Sequence, residues 1–389
     1  MQSSKTFADL GVSAPVVRAL AERGIKLPFP VQEMVIEDVL AERDVLVKSP
    51  TGSGKTLAFG VPLVDLCEAG GYPSVLVLAP TRELATQIVD ELGAIARSRS
   101  VEVVAVYGGV AISPQIKAVK RADVLVATPG RLIDLLDRRA VRLDKIEALV
   151  LDEADRMLDM GFKPAVDRIV KQTPAARQTL LFSATLEGEV ARLARDYTRD
   201  AVRHEHAPTV QSRGAIEHRF VKLAHDQKGD ELLRSLGDRT LVFVRTKRGA
   251  DRLAKRLAKK RVSAVAMHGD KSQGQRERAL ASFESGKVRT LIATDVAARG
   301  IDVEGISHVI NYDLPGGAED YVHRVGRTAR AGATGIGITF VVDDQERDAV
   351  KMGTGLGLDR ELAAAGLVVK PANGNHGRPR RNRGHRGQR

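Results

Sequence analysis

The run DVLVKSPTGSGKT, residues 44–56, joins a short β-branched segment to a glycine-rich turn, and the apolar pattern of a helix follows over Leu57–Leu66. Glycines let the backbone of such a turn wrap an anion, so that its N–H groups and the helix N-terminus face phosphate oxygens. We therefore interpret residues 49–56 as a phosphate-binding loop of the Walker A type, with Ser49 where the consensus has its first glycine.

This loop predicts a nucleoside triphosphate bound together with Mg²⁺. The ammonium group of Lys55 would reach the terminal phosphates, and the hydroxyl of Thr56 would ligate the metal. A glycine-rich turn that binds nothing is the alternative. The loop residues that we expect to contact the nucleotide are Thr51, Gly52, Ser53, Gly54, Lys55 and Thr56.

A second chemical signal is the apolar run Ala148–Leu151, which leads directly into Asp152-Glu153-Ala154-Asp155. A strand that ends in two carboxylates can place Asp152 on the magnesium ion and Glu153 beside the attacking water, as in-line phosphoryl transfer requires. An acidic cluster at a strand end is otherwise a helix cap. Because the phosphate-binding loop lies upstream, we favour the catalytic interpretation.

Short β-branched runs alternate with helical patterns along the whole chain, which is typical of parallel sheets with crossover helices. The alternation pauses over about 198–214, a stretch rich in charge and histidine. The sequence therefore predicts two tandem α/β domains over residues 1–205 and 214–369, joined by a linker over 206–213. The predicted strands are Asp44–Lys48, Val75–Ala79, Val101–Val106, Asp123–Ala127, Ala148–Leu151 and Thr179–Phe182, then Thr240–Val244, Val262–Met267, Thr290–Ala293, His308–Asn311 and Ile336–Val341.

The composition favours a polyanionic partner, because the 389 residues carry a formal net charge of +12. RNA, DNA and an acidic membrane surface are all compatible with that charge. We expect a soluble, unexported, cytoplasmic protein without membrane association, since no apolar run approaches the roughly 20 residues of a spanning helix. The single cysteine, Cys67, excludes an internal disulfide framework and a cysteine-rich zinc site.

The charge is concentrated at the end of the chain. Residues Lys370–Arg389 carry one Lys, six Arg and no acid, so +7 of the net +12 lies there. This segment has few aliphatic residues, and it cannot bury enough surface to offset the entropy cost of ordering. We predict a disordered basic tail over residues 370–389 that binds RNA; a merely solubilising tail is the alternative.

The order of motifs resembles the DEAD-box family of ATP-dependent RNA helicases, whose name is spelled by Asp152-Glu153-Ala154-Asp155. The resemblance covers about 7–342 and implies two RecA-like domains. Before the tetrad stand Phe7, Gly24–Gln32, the phosphate loop, Pro80–Leu84, Gly108-Gly109 and Thr128–Arg131. After it stand Ser183–Thr185, Leu241–Thr246, His268–Asp270 with Gln273 and Arg276, Ala293–Asp302 and His323–Arg330.

The resemblance assigns the nucleotide contacts. Gln32 is similar to the family's adenine reader, because a carboxamide matches the donor and acceptor edge of adenine, which favours ATP over GTP. Phe7 resembles the aromatic that packs near adenine, and Asp302 resembles the ribose contact. Lys26 and Gly300 complete the expected ATP contacts.

The second domain would complete the catalytic site. Arg327 and Arg330 resemble arginine fingers on one helix face, and His323 resembles the residue that links the γ-phosphate region to the other domain. Catalysis would then use Lys55, Asp152, Glu153, His323, Arg327 and Arg330, with Thr56 and Asp152 on the metal. Ser183 and Thr185 resemble the motif that couples hydrolysis to RNA separation through hydroxyl hydrogen bonds to the tetrad.

RNA contacts also follow from the resemblance. Tryptophan is absent and aromatic residues make up 4% of the chain, so we expect a grip on phosphates and sugars instead of base stacking. The expected contacts are Pro80, Thr81, Arg82, Gly109, Thr128, Gly130 and Arg131 in the first domain, with Gly269, Arg276 and Thr294 in the second.

The expected activity is RNA-stimulated ATP hydrolysis, coupled to domain closure and to local separation of short RNA duplexes by a monomer. Two alternatives remain open: a DNA-directed motor of the same superfamily, and an ATP-gated RNA clamp with little unwinding. Ribosome assembly, RNA decay and cold adaptation would all suit such an enzyme. Mild departures from the family pattern are Ser49, Arg245 and Ala329, where Ala, Asn and Gly are usual.

Overall fold

The computed structural model describes residues 5–49, 52–206, 216–298, 303, 305–329 and 333–367. These residues form two α/β domains, each built on one parallel sheet, as the sequence predicted. The predicted linker lies outside the described residues except for His206, and the predicted tail lies wholly outside them.

The first domain contains a sheet in the order β3-β4-β2-β5-β6-β1-β7, in which every described pair of strands is parallel. Its strands are β1 (Val45–Lys48), β2 (Val75–Leu78), β3 (Val103–Val106), β4 (Val124–Ala127), β5 (Ala148–Leu151), β6 (Gln178–Ser183) and β7 (Val202–Glu205). Its helices are α1 (Ala14–Glu22), α2 (Pro30–Leu40), α3 (Lys55–Leu66), α4 (Arg82–Arg97), α5 (Ile112–Ala118), α6 (Pro129–Asp137), α7 (Ala154–Asp159), α8 (Lys163–Val170) and α9 (Gly188–Tyr197).

The second domain contains a sheet in the order β10-β11-β9-β12-β13-β8, again with parallel pairs throughout its described part. Its strands are β8 (Ile216–Lys222), β9 (Thr240–Phe243), β10 (Ala264–Met267), β11 (Thr290–Ala293), β12 (His308–Asn311) and β13 (Gly335–Val341). Its helices are α10 (Lys228–Ser235), α11 (Lys247–Lys259), α12 (Gln273–Glu284), α13 (Asp295–Ala298), α14 (Ala318–Val325), α15 (Glu346–Gly355) and α16 (Asp359–Ala364).

The central strands explain why the chain adopts this layered fold. All four residues of β2, β4 and β5 are buried, because helices cover both faces of the sheet. One apolar cluster, with Phe59 and Phe182 in edge-to-face contact, fills one side of the first sheet, and a second cluster around Leu149 fills the other.

Two edge strands differ from the sequence-based prediction. Strand β7 lies inside the stretch that we interpreted as a pause, and β8 precedes the first strand that we predicted for the second domain. Both run along a sheet edge, where they are less covered than central strands: the residues of β7 alternate between half-buried and exposed, and those of β8 do so up to Phe220, which is buried. Charged residues at the exposed positions conceal the β-branched signal on which our prediction relied.

The sheet order sorts the functional motifs into two groups. In the first domain, the residues expected to contact RNA follow β2, β3 and β4, which occupy one half of the sheet. The first-domain residues expected to contact the phosphates and the metal follow β1 and β5, in the other half. Parallel strands end at a common edge, and ligands of such sheets bind beyond it. Of the helices in the described ranges, none combines the length and apolar character needed to cross a membrane.

Candidate functional site

The phosphate-binding loop connects β1 to α3. Gly54 precedes α3 with a φ of 89°, in the left-handed region that glycine adopts without strain. Ser49 and Ser53 join their hydroxyls at 2.6 Å, and the Nζ atom of Lys55 donates to the carbonyl oxygen of Ser49 at 3.3 Å. Lys55 is therefore held inside the loop, with 6% of its surface exposed, whereas Thr51 lies outside the described residues.

Gln32 lies against this loop. Its Oε1 atom accepts from the N–H of Phe29 at 2.9 Å, and its Nε2 atom donates to the carbonyl oxygen of Gly54 at 3.0 Å. The carboxamide thus links the start of α2 to the turn that would surround the phosphates. The two side chains approach Gly54 so closely that a Cβ atom built there would lie 2.7 Å from both the Gln32 Nε2 atom and the Phe29 Cδ2 atom, so a larger residue would not fit.

The aromatic residue next to Gln32 is Phe29, which our sequence analysis assigned no role. Its side chain is 59% exposed. Phe7, which the resemblance placed near adenine, is 2% exposed and packs in the core of the first domain. Lys26 is exposed on the segment that leads to α2. The signal that could have identified Phe29 is its place in Pro28-Phe29-Pro30, which ends two residues before Gln32.

Asp152 and Glu153 lie at the end of β5, where both are buried. Burial raises the pKa of Asp152 to about 6, although the nearby Lys55 ammonium acts in the opposite direction. Glu153 adopts a φ of 51°, and its buried Oε2 atom has no hydrogen-bond partner among the described residues. The Nε atom of Arg156 lies 3.8 Å from that oxygen.

The contact between the tetrad and the segment Ser183–Thr185 differs from the expected one. The Oδ2 atom of Asp155 accepts from the backbone N–H of Ala184 at 3.2 Å. The hydroxyl of Ser183 instead accepts from the N–H of Thr185, and the hydroxyl of Thr185 accepts from the N–H of Glu187. The hydroxyls stabilise a local turn, which leaves the backbone N–H to bind the carboxylate.

Helix α14 of the second domain faces the tetrad. Ligand atoms of Asp155, Glu319 and His323 all lie within 4.8 Å of one another. Burial, together with the charges of Asp159 and Asp155, raises the pKa of Glu319. Arg156 also lines a small cavity with His323 and with two arginines of the second domain, Arg324 and Arg327.

Arg327 does not lie on helix α14, so the helical placement that the sequence suggested for it is not observed. Helix α14 ends at Val325, so Arg327 lies in the following turn, where its Nε atom donates to the carbonyl oxygen of His323 at 3.3 Å. Ala329 has a φ of 54°, in the left-handed region, which the helical interpretation did not foresee. Arg330, Gly300 and Asp302 lie outside the described residues.

Arg324 holds α14 in place, and our sequence analysis gave it no role of its own. Its guanidinium makes two bonds of 2.6 and 2.7 Å to the carboxylate of Asp295 and donates to the carbonyl oxygen of Asp313 at 2.7 Å. A bidentate arginine–carboxylate pair fixes geometry as well as charge. Arg324 thereby positions both His323 and Arg327.

Several residues expected to contact RNA meet across the two domains. Arg82 lies 3.5 Å from the Gln273 side chain, and its guanidinium covers Gly109 so closely that a Cβ atom there would lie 1.9 Å from it. Glu83 and Arg276 form a buried ion pair at 2.8 Å. Arg276 is therefore an interdomain contact in this structure, and Glu83 is its partner.

The remaining expected RNA contacts lie at strand ends, but several already serve the fold. Thr81 caps α4 by accepting from the N–H of Leu84 at 3.2 Å. Arg131 donates to Gln115 and to the carbonyl oxygen of Val110, both at 2.9 Å. Gly130 and Gly269 are exposed, whereas Pro80, Thr128 and Thr294 are buried.

Comparison with protein families agrees with this geometry. The model of the DEAD/DEAH box helicases matches residues 29–193. The model of the helicase conserved C-terminal domain matches residues 225–332. The two matches fall on the first and second sheets, respectively.

Individual relatives belong to the same group. The DEAD-box ATP-dependent RNA helicase CshA of Geobacillus kaustophilus is 41% identical over 342 residues, which are 86% of this chain and 73% of that protein. The DEAD-box ATP-dependent RNA helicase 40 of Arabidopsis thaliana is 43% identical over 87% of this chain, but the match spans only 32% of that protein. The ATP-dependent RNA helicase CshA of Listeria monocytogenes is 41% identical over 86% of this chain, and the match spans 66% of that protein.

Solved structures show the same fold. S. cerevisiae Dbp5 bound to RNA and ADP BeF3 is 29% identical, with a TM-score of 0.79 over 91% of this chain and 94% of that one. A DEAD box protein from Methanococcus jannaschii is 37% identical, with a TM-score of 0.53 over 91% of this chain and 97% of that one. From these matches and the site geometry, the chain belongs to the DEAD-box family of ATP-dependent RNA helicases.

Proposed function

We propose that this chain hydrolyses ATP when RNA is bound, and that it uses domain closure to separate short RNA duplexes locally or to remodel RNA–protein complexes. The observation that carries this proposal is the approach of His323 and Arg327 of the second domain to Asp155 and Arg156 of the first. One ATP molecule would thus contact groups from both domains, so turnover depends on their relative position.

The chemical step uses the carboxylates after β5. The Oε2 atom of Glu153, which has no hydrogen-bond partner among the described residues, is the group that orients the attacking water and accepts its proton. Water attacks the γ-phosphorus, the bond to the β,γ-bridging oxygen breaks, and ADP and phosphate result. Lys55 and Arg327 stabilise the negative charge that spreads over the transferring group.

Magnesium fits the same site. Asp152 is buried with a raised pKa of about 6, so its carboxylate gains from a cation, and the Thr56 hydroxyl lies in the first turn of α3. Asp152 and Thr56 would hold the ion, which would neutralise charge on the phosphates when bound. Asp152 and Thr56 would thus set the position of the ion beside the phosphates.

Adenine recognition rests on Gln32 and Phe29. The carboxamide of Gln32 can exchange its bond to Gly54 for bonds to the base edge, and this exchange links base binding to the phosphate loop. The exposed ring of Phe29 lies beside the same glycine and offers an apolar surface to the base.

Closure of the two domains would form the RNA track. The ion pair between Glu83 and Arg276 joins the two sets of strand ends at which the expected RNA contacts lie. The likeness to a relative bound to RNA and ADP BeF3, with a TM-score of 0.79 over both domains, supports a closed arrangement. A track that binds the phosphates and sugars of RNA would show little preference for base sequence.

The test compares ATP hydrolysis stimulated by matched RNA and DNA strands. We expect RNA to stimulate strongly and the Lys55→Ala variant to lose hydrolysis. Stronger stimulation by DNA would favour the DNA-directed motor. Absence of RNA-stimulated phosphate release by clean wild-type protein would favour the ATP-gated clamp.

The cellular setting is also part of the proposal. We propose that the protein acts as a monomer in the cytoplasm, on RNA or ribonucleoprotein substrates such as those of ribosome assembly or RNA decay. The net charge of +12 supports an RNA partner. Sequencing of RNA crosslinked to the protein in cells would identify the substrate.

A further inference from the structure

Helix α11 and the two residues after it hold an unusual share of the positive charge. Residues 247–261 contain eight Lys or Arg and one Asp, a net charge of +7. Of the chain's +12, a further +7 belongs to 370–389, so all the other residues together carry a net charge of −2. The positive potential of the described second domain is therefore concentrated on one helix.

Four of these cations form a continuous line. Arg248, Arg252, Lys255 and Lys259 follow one another at intervals of four, three and four residues, so they occupy one face of α11 on successive turns. Ala250, Leu253 and Leu257 are buried on the opposite face. At about 1.5 Å per residue, the line is about 16 Å long. We call these four residues the basic ridge.

The basic ridge has no neutralising partners in the fold. All four side chains are exposed, and none forms an ion pair with a carboxylate in the part of the chain that the structure describes. Two other cations of the helix are neutralised: Lys247 pairs with Asp270 at 2.6 Å, and Arg256 pairs with Asp230 at 3.2 Å. Apart from Asp251 on the same helix, which pairs with Lys271, mutual repulsion along the ridge is therefore relieved by solvent ions or by a bound polyanion.

The ridge starts beside the expected RNA track. Helix α11 begins just after Thr246, which follows β9 at the same sheet edge as Gly269 and Thr294. The Cε atom of Lys247 lies 3.5 Å from the position of a Cβ atom on Gly269. The helix then leads away from the track. Beside it an open groove continues toward α12, lined by Lys255, Lys271 and Arg278 over small alanine side chains; Asp251 also lines it and pairs with Lys271 at 2.8 Å.

From this placement we propose that the basic ridge binds the phosphate backbone of RNA that extends beyond the ATP-dependent track. The inference rests on the proposed function, because it requires RNA in that track. Flanking RNA held in this way would keep the enzyme on a long substrate while the two domains open between rounds of hydrolysis.

The chemistry of the ridge favours RNA over a protein partner. Protein interfaces are centred on aromatic and apolar anchors, and lysine is depleted there. The exposed side chains along the ridge are Arg and Lys, with Ala258 as their small apolar neighbour in the groove. Lys and Arg without apolar anchors are the usual means of binding phosphates independently of sequence.

The experiment uses the full chain carrying Arg252→Gln, Lys255→Gln and Lys259→Gln, since glutamine keeps helix propensity. The matched control carries Arg192→Gln, Arg195→Gln and Arg199→Gln, which removes three exposed cations of the first domain that form no ion pair with any described residue. Each protein is titrated with a short single strand that fills only the track and with a strand several times longer, over a range of salt concentrations. Hydrolysis stimulated by the short strand reports on the track alone.

For the ridge variant we expect weaker binding of the long strand, by about tenfold at low salt, and a slope of log affinity against log salt that is shallower by about 2. Binding of the short strand and the hydrolysis that it stimulates should equal those of the control. Equal long-strand affinity in ridge and control variants would overturn the proposal, as would an equal loss for both strands. Failure of the wild type to respond to any RNA would instead contradict the proposed function.

Discussion

Gln32 shows how one side chain can connect a base to a phosphate loop. Its carboxamide bonds to Phe29 and to Gly54, so its two ends are held by the residue before α2 and by the turn before α3. A base that binds Gln32 must replace the bond to Gly54. In the proposed function, adenine recognition would thereby be transmitted to the loop expected to hold the phosphates.

Phe29 provides the first prediction. Phe29→Ala should raise the KM for ATP several-fold and leave kcat nearly unchanged, because the ring adds apolar contact to the base without touching the reacting atoms. Its exposed position predicts little change in the free energy of unfolding. The matched change Phe7→Ala should leave the KM for ATP nearly unchanged and lower the free energy of unfolding of the first domain by about 3–5 kcal/mol. An unchanged KM in Phe29→Ala would contradict the base contact.

Glu153 provides the second prediction. Glu153→Gln should block RNA-stimulated phosphate release while ATP and RNA still bind, because the amide keeps the shape of the side chain but accepts no proton. Fluorescent nucleotide binding and single-turnover hydrolysis separate the two effects. If the variant lost ATP binding as well, Glu153 would have a structural role.

Residue types and their order could predict the chemistry but not every local geometry. The positions of Lys55, Asp152 and Glu153 just beyond strands could be predicted, because phosphate and metal chemistry demands those groups at strand ends. The turn at Arg327 was not identified, because three-residue spacing is compatible with a helix face and alanine itself does not indicate the left-handed φ of residue 329, where the family usually has glycine. The exposure of Phe29 likewise depends on how α2 packs against the loop.

The strands likewise divide into those that the sequence could predict and those that it could not. Central strands such as Ala148–Leu151 and Thr290–Ala293 were predicted with their observed bounds, since burial on both faces selects continuous apolar runs. Strands Val202–Glu205 and Ile216–Lys222 were not, because pairing with β1 and β13 stabilises them and their own residues are half polar. Their existence depends on long-range contacts that a local pattern does not contain.

Strand β8 provides the third prediction. Burial lowers the pKa of His218, with Glu361 acting in the opposite direction, and the Nδ1 atom of His218 lies 2.7 Å from the hydroxyl of Tyr321. The unfolded chain takes up this proton more readily, so stability should fall as the pH drops below the unfolded pKa of about 6.5. His218→Gln should weaken that dependence by up to about 1.4 kcal/mol per pH unit. Urea unfolding of the wild type and the variant above and below that pH measures how the free energy of unfolding depends on pH. The same pH dependence in both proteins would show that His218 does not contribute to it.

The two domains meet through few direct contacts, and the buried pair of Glu83 and Arg276 is one of them. The sequence could not reveal it, because nearly two hundred positions separate the partners and only the packing of both sheets brings them together. The same packing places Arg327 near the tetrad.

The ion pair provides the fourth prediction. Glu83→Arg or Arg276→Glu alone should lower RNA-stimulated hydrolysis at least tenfold, because either change leaves like charges buried against each other. The double variant with exchanged charges should recover part of the rate, whereas hydrolysis without RNA should differ little among the four proteins. No recovery in the double variant would mean that the pair does not act through mutual attraction.

The most direct measurement for the whole molecule is the rate of RNA-stimulated phosphate release by Arg327→Ala at saturating ATP and RNA. If both domains act on one nucleotide, the rate should fall by about 10³-fold or more, the usual contribution of an arginine finger, while ATP still binds the first domain. Release at the wild-type rate would contradict the shared site, because a first domain that hydrolyses ATP alone has no means of coupling that reaction to closure on RNA.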